Sequence, residues 1–417
     1  MTEPSDGPAA GRCDDHVIGR AVTPEGVLPN AYVAWADGVI TQVRPTRPGD
    51  PEADGDPLIL PGLVDVHNHG AAGHGFPTSD AEGSAVAAAH HRRWGTTTLL
   101  ASTVSALPDA LARQVAVLAE VADDGHVDGI HLEGPFLNAC RCGAQDPRAI
   151  VPGDPDALEM LLDAGRGHVR TITLAPETDR IDDLLRVCAD RGLAVSFGHT
   201  DADYDVTARV IDAATDLGLT VTATHLFNAM PPVHHRDPGA AGALLAAAAR
   251  GEAVVELIAD GVHLSDAMVD LVRVTTGPSG ITLISDAMAA TGMPDGDYVL
   301  GALPVTVTGG VARLTTTTAE DHGDSTSSPG AIAGGTTTIH DQVLRMLHRS
   351  IDPADVAQMA SSTGAKAAGF ADRGTICVGK RADLLLCDDA PARNPAPRDG
   401  RAPTPPTVIT AGKRKER

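Results

Sequence analysis

Along this chain, short apolar runs rich in β-branched residues alternate with longer stretches in which Ala and Leu recur at helical spacing. The runs fall at Leu58–His69, Thr96–Thr103, Val127–Phe136, Val169–Glu177, Leu193–Thr200, Val221–Asn228, Ala253–His263 and Ile281–Met288. Between them lie amphipathic segments such as SDAEGSAVAAAHHRRW (79–94), LPDALARQVAVLAEVA (107–122), DPDALEMLLDAG (154–165) and RIDDLLRVCADRG (180–192). Ser79 and Asp80 are placed to cap the first of these helices, and Gly165 to stop the third. Near-continuous apolar strands separated by helices predict a parallel sheet covered on both faces. Eight such units predict an α/β fold of the (β/α)8, TIM-like barrel type, with a doubly wound open sheet as the alternative.

The flanks break this rhythm. HVIGRAVTPEGVLPNAYVAWADGVITQV (16–43) and GTICVGKRADLLLCDD (374–389) carry short alternating strands with Gly, Asn and Asp at the turns. The expected organisation is therefore a barrel over 58–372 and a small β-sandwich built from 1–57 and 373–417. TTTTAEDHGDSTSSPG (315–330) reads as a mobile loop, and the terminal GKRKER as a solvated charge run.

Composition narrows the function classes. Hydrophobic residues make up 42% of the 417, enough for a core, but with two Trp, three Tyr and five Phe that core must be aliphatic. A formal net charge of −23 argues against nucleic acid or an anionic membrane as partner. An anionic substrate would need a local positive group. No apolar signal-like segment opens the chain and no run of about 18 apolar residues occurs, so a soluble, cytoplasmic protein is expected. The six Cys are scattered, as for reduced thiols, and Cys140-x-Cys142 reads as two ordinary loop thiols.

Barrels place their chemistry at the C-terminal ends of the strands. There the sequence supplies His67 and His69, Glu133, Glu177, His199, His225, His263 and Asp286. The H-x-H pair alone is weak evidence, because 17 His give roughly 0.7 such pairs by chance. Ligand-type residues at seven of eight strand ends are another matter. Burying that many imidazoles and carboxylates costs several kcal/mol unless they share a cation or each other. Nitrogen with carboxylate oxygen suits Zn²⁺, and an open position lets bound water ionise near neutral pH. Asp286, at the eighth end, fits a general base that later serves as general acid.

The order of these motifs resembles the amidohydrolase superfamily of metal-dependent barrels. PGLVDVHNHG (61–70), GIHLEGPFL (129–137), FGHTDADYD (197–205), THLFNAMPPVHHRDPG (224–239), LIADGVHL (257–264) and LISDAMAATG (283–292) are similar to the N-acetylglucosamine-6-phosphate deacetylases within it. The resemblance implies deacetylation of N-acetylglucosamine 6-phosphate to glucosamine 6-phosphate and acetate. The galacto epimer, or another N-acyl compound, stays open as substrate. Glu133, His199 and His225 are implied metal ligands for Zn²⁺, with Fe²⁺, Mn²⁺ or Co²⁺ as alternatives, and Asp286 is implied to activate the water and protonate the amine. Some members lack the strand-one pair and use one metal; here His67 and His69 imply room for a second.

All four Lys (366, 380, 413, 415) lie beyond the eighth strand, so no carboxylated Lys can bridge two metals and Glu133 would do so. His263 is implied to contact the sugar, and Asn228 and Ala229 the phosphate. Arg236, with His235 beside it, would bind phosphate across a homodimer interface. Gly143-Ala144-Gln145 stands where many members have Gly-Ala-His, so Ala144 and Gln145 would meet the acetyl group with an amide in place of the imidazole.

Overall fold

The computed structural model describes residues 13–315, 330–387 and 405–414. Most of the 315–330 stretch, the last three residues of the GKRKER tail, and residues 1–12 lie outside them.

Eight parallel strands form one nearly closed sheet: Leu63–Asp65, Thr96–Ser102, Gly129–Glu133, Val169–Leu174, Ala194–Phe197, Val221–Ala223, Val254–Leu257 and Ile281–Leu283. A helix follows each of them, from Ala81–Arg93 after the first to Ile339–His348 after the eighth, as expected for the barrel and not for an open doubly wound sheet. Local signals start and stop these helices. Asp80 accepts from Gly83 N, Asp203 from Val206 N and Ser265 from Met268 N, while Gly165 ends the Pro155–Ala164 helix.

The strands alternate more strictly than their sequence suggested. Ile130, Leu132, Ile172, Leu174, Val195, Phe197, Val255 and Leu257 join the large aliphatic core shared with the helices. The residues between them point inward and are polar. His131 bonds through its two ring nitrogens to Ser102 Oγ (2.9 Å) and Thr173 Oγ1 (2.8 Å), and Thr224 Oγ1 links Thr173 (2.8 Å) to Ser196 (2.6 Å). Burial, reinforced by the charge on His67, holds His131 well below the usual imidazole value, so it is a neutral member of this network. The barrel floor thus carries a hydrogen-bond layer beneath the strand ends, around which the hydroxyls of Thr171 and Thr222 are buried without a partner among the described residues.

No backbone ladder joins the eighth strand to the first. The seam is closed just above them, where Asp286 N donates to His67 O (3.0 Å) and His69 N to Ala287 O (2.7 Å). Buried Asp65 completes the closure by accepting from Ser285 N (3.1 Å) and Ser285 Oγ (2.5 Å). The seam therefore fixes the H-x-H pair directly against Asp286.

Both chain ends meet in a seven-stranded sheet that includes Asp15–Thr23, Gly26–Ala36, Val39–Pro45, Leu58–Pro61, Leu384–Cys387, Thr407–Thr410 and Lys413–Arg414. Hydrogen bonds from Ile40 N to Lys380 O and from Ala382 N to Gly38 O fold this sheet back around Trp35, Ile40, Leu384 and Ile409. The expected first run, Leu58–His69, is two strands. Leu58 and Leu60 pack into the barrel core while Ile59 enters the small one, and the chain crosses at Gly62. A Cβ there would stand 2.2 Å from Thr97 Oγ1, which is why the crossing needs glycine.

After the eighth strand, a three-stranded antiparallel excursion (Gly296–Leu300, Leu303–Thr308, Val311–Leu314) builds its own small core with Met288 and Val104. Among the described residues no helix is long and apolar enough to cross a membrane.

Candidate active site

At the ends of the fifth, sixth and eighth strands the backbone turns into left-handed conformations. His199 (φ 47), His225 (φ 28) and Asp286 (φ 47) are non-glycine residues, and each such position costs about 1–3 kcal/mol. Specific bonds offset that cost. Asn138 N donates to His199 O (2.9 Å), Asn228 N to His225 O (2.9 Å) and Gly335 N to Asp286 O (2.6 Å). The turns aim three side chains at the barrel axis instead of along the strands.

There they converge on Glu133. Its Oε1 lies 3.0 Å from both His199 Nε2 and His225 Nε2, and those two nitrogens are 3.2 Å apart. His67 Nε2 is 3.5 Å from the same oxygen, and His69 Nε2 is 3.3 Å from Oε2. Two groups with metal-ligand spacing result, His67–His69–Glu133 and Glu133–His199–His225, and Glu133 belongs to both.

The donor set fits a divalent cation. His199 Nδ1 is 2.9 Å from Arg141 O and His67 Nδ1 is 3.1 Å from Glu256 Oε2, so both Nδ1 atoms donate. In neutral imidazoles the Nε2 lone pairs then face other lone pairs, which repel unless a proton or metal stands between them. The Nδ1 atoms of His69 and His225 are buried with no hydrogen-bond partner among the described residues.

The neighbouring carboxylates raise the basicity of the strand-one imidazoles. Burial opposes charge on His67, yet Glu133 and Glu256 hold its imidazole well above the usual value. His69 is likewise opposed by burial but pushed up to about 9 by Asp286 and Glu133. Asp286, 3.2 Å from His69 Nε2, is lowered to about 2 against its own burial by the surrounding imidazoles, so it is ionised at neutral pH.

The site opens into a cleft of about 220 Å³. Of the residues expected there, Ala144, Gln145, Asn228, Ala229 and His263 line it with His69, Glu133, His199, His225 and Asp286, while His67 lies beneath. Gln145 is held from two sides: its Oε1 accepts from Ser105 N (2.6 Å) and its Nε2 donates to Glu133 Oε2 (2.5 Å). It orients the Glu133 carboxylate through one of its two amide N–H groups. Asn228 Nδ2 is spent in part on His225 O (3.0 Å). His235 and Arg236 sit on an exposed loop, 2.8 Å from each other, outside the cleft of their own chain.

Glu177 does not join either of these groups. Its carboxylate accepts from Asn138 Nδ2 (2.8 Å), Thr200 Oγ1 (2.6 Å) and Asp201 N (2.7 Å), clamping two loops beside His199. Sequence reasoning also passed over three contributors. Asp260 holds His263 Nδ1 at 2.8 Å, and burial of His263 is outweighed by that carboxylate, which raises its pKa. The excursion after the eighth strand supplies the apolar wall at Leu300. Glu256 lies under His67; a lone Glu within VVEL was its only signal.

Comparison with known proteins matches this architecture. The amidohydrolase family model covers residues 58–415. The N-acetylglucosamine-6-phosphate deacetylase of Bacillus subtilis is 36% identical over 381 residues, 88% of this chain and 90% of that one. The N-acetylgalactosamine-6-phosphate deacetylase of Escherichia coli O157:H7 is 31% identical over 375 residues, 88% of this chain and 93% of that one. Among solved structures, a mutant N-acetyl-D-glucosamine-6-phosphate deacetylase from Mycobacterium smegmatis, in complex with N-acetyl-D-glucosamine-6-phosphate, superposes with a TM-score of 0.82. It is 36% identical, and the match covers 96% of this chain and 99% of that one.

Proposed function

We infer that this chain, which belongs to the amidohydrolase family, hydrolyses the N-acetyl group of N-acetylglucosamine 6-phosphate to give glucosamine 6-phosphate and acetate. The observation that carries the reading is the Asp286 carboxyl group placed beside the Glu133–His199–His225 group, in one cleft.

A divalent cation, for which we propose Zn²⁺, would be held by Glu133, His199 and His225 and would supply Lewis acidity toward the amide carbonyl and the attacking water. Asp286 takes a proton from that water as its oxygen bonds to the carbonyl carbon. The same carboxyl then delivers the proton to the nitrogen as the C–N bond breaks, so the amine leaves neutral. His263, oriented by Asp260, contacts the sugar. Gln145 keeps Glu133 turned toward the histidines. Ala144 lines the acetyl end, and Asn228 and Ala229 face the phosphate end.

The phosphate calls for a permanently charged group, and among the described residues no Arg or Lys lines the cleft. Arg236 of a second copy would supply it in a homodimer, with His235 alongside. Supporting this, Val233, His234, His235 and Arg236 form a solvent-exposed segment outside their own cleft. A cytoplasmic setting fits the unbridged thiols of Cys13, Cys140, Cys188 and Cys377.

Acetate release from N-acetylglucosamine 6-phosphate, its galacto epimer and unphosphorylated N-acetylglucosamine tests the substrate. The 6-phosphate of the gluco sugar is expected to give the highest kcat/KM. Arg236→Ala should close the gap between phosphorylated and unphosphorylated sugar by about 10–100-fold, the worth of a charge-assisted hydrogen bond. Faster turnover of the galacto epimer would move the reading to that sugar. Equal turnover without the phosphate would move it to another N-acyl substrate.

A further inference from the structure

Glu256 is a carboxylate that packing does not ask for. It interrupts the apolar seventh strand, is 1% exposed, and points inward while Val255 and Leu257 on either side enter the helix-packed core. Among the described residues its one ionic partner is His67. A carboxylate buried with so little compensation is costly, so its retention calls for a role at the site above it.

Its two contacts name that role. Glu256 Oε2 accepts from His67 Nδ1 at 3.1 Å and from the backbone N of His225 at 3.2 Å. The first bond fixes the ring of His67 and puts its proton on Nδ1, so Nε2 faces His69 Nε2 (3.1 Å) and Glu133 Oε1 (3.5 Å). The second ties the carboxylate to the main chain of the neighbouring group without touching that histidine's ring. Glu256 therefore acts on the side chain of one metal group only.

We propose that Glu256 is the positioning residue that makes His67–His69–Glu133 a cation site. This rests on the metal-binding reading of the cleft. Two divalent ions held by groups that share Glu133 would repel one another and would divide its charge. A further negative charge placed behind His67 offsets that repulsion on the His67 side and makes its imidazole a stronger donor. Filling of the Glu133–His199–His225 group needs no such help.

The test is equilibrium metal binding, which involves no sugar and so is independent of the proposed reaction. Wild type, Glu256→Gln, His67→Gln/His69→Asn and the triple variant are dialysed against buffered Zn²⁺, and bound metal is read by elemental analysis. Gln keeps an acceptor oxygen for both bonds and removes only the charge. In wild type two classes of site are expected. Glu256→Gln should weaken one class by about 10–100-fold and leave the other unchanged, and the unchanged class also reports an intact barrel. In the His67→Gln/His69→Asn background, one class should remain and Glu256→Gln should not shift it. If Glu256→Gln binds no metal at all, Glu256→Asp, which keeps the charge, should retain the Glu133–His199–His225 class and weaken the His67–His69–Glu133 class. Equal weakening of both classes, no change in either, or loss of both in Glu256→Asp would overturn the proposal.

Discussion

Asp286→Asn should lower kcat for acetate release by about 10³–10⁴-fold, or ~4–5.5 kcal/mol of barrel-bound transition-state stabilisation, while the metal stays bound. The side chain lies 3.2 Å from His69 Nε2 and 3.6 Å from His67 Nε2, yet belongs to neither metal-ligand group. Asparagine preserves its shape and can still meet His69, but it can neither take a proton from water nor return one to nitrogen. Both halves of the reaction lose their proton carrier, and an unprotonated amide nitrogen is a very poor leaving group. Turnover and metal content measured on one preparation check this. An Asn variant with wild-type kcat would remove Asp286 from the mechanism.

Glu133→Gln should have the other large effect, through metal and not proton transfer. Glu133 is the one residue common to both ligand groups, with Oε1 toward His199, His225 and His67 and Oε2 toward His69. Replacing it leaves no carboxylate between His199 and His225, and only Asp286 between His67 and His69. Metal affinity is expected to fall by more than about 100-fold at both groups, beyond the loss typical of a residue that only supports a ligand. His67→Gln/His69→Asn should instead lower stoichiometry from two toward one. The contrast separates a shared carboxylate from a local ligand. Dialysis against limiting Zn²⁺ followed by elemental analysis distinguishes them; retention of one full equivalent by Glu133→Gln would show that it is not a ligand to both.

Much of this was legible in the sequence, because the barrel's period and its chemistry are both local. Each strand with its following helix announces itself by pattern, and seven of the eight strand ends carry a ligand-type residue, so Glu133, His199, His225 and Asp286 can be placed without coordinates. Residues whose meaning depends on a distant partner were harder. Glu177 sits where a ligand would, but Thr200 and Asn138 occupy its carboxylate. Gln145 reads as a substrate contact until Glu133 and Ser105 are seen on either side of its amide. Glu256 lies within an apolar run, and only the closure of the barrel brings it under His67. The Leu58–His69 run hides its break because both halves are apolar and each packs into a different core. In the excursion at 296–314, alternation of Leu300, Val305, Val307, Ala312 and Leu314 was a usable strand signal, but the short segments suggest no place beside the cleft.

The central claim is that acetate release from N-acetylglucosamine 6-phosphate depends on metal held by Glu133, His199 and His225. The most direct measurement strips the full-length protein with a chelator, confirms its metal content, and follows acetate release as Zn²⁺ is added back in known equivalents. The stripped protein should be inactive, with activity rising in step with metal bound to that group and absent in Glu133→Gln at every equivalent. Full acetate release by protein containing less than about a tenth of an equivalent of metal would contradict the account, since Lewis-acid assistance to amide hydrolysis is worth several kcal/mol.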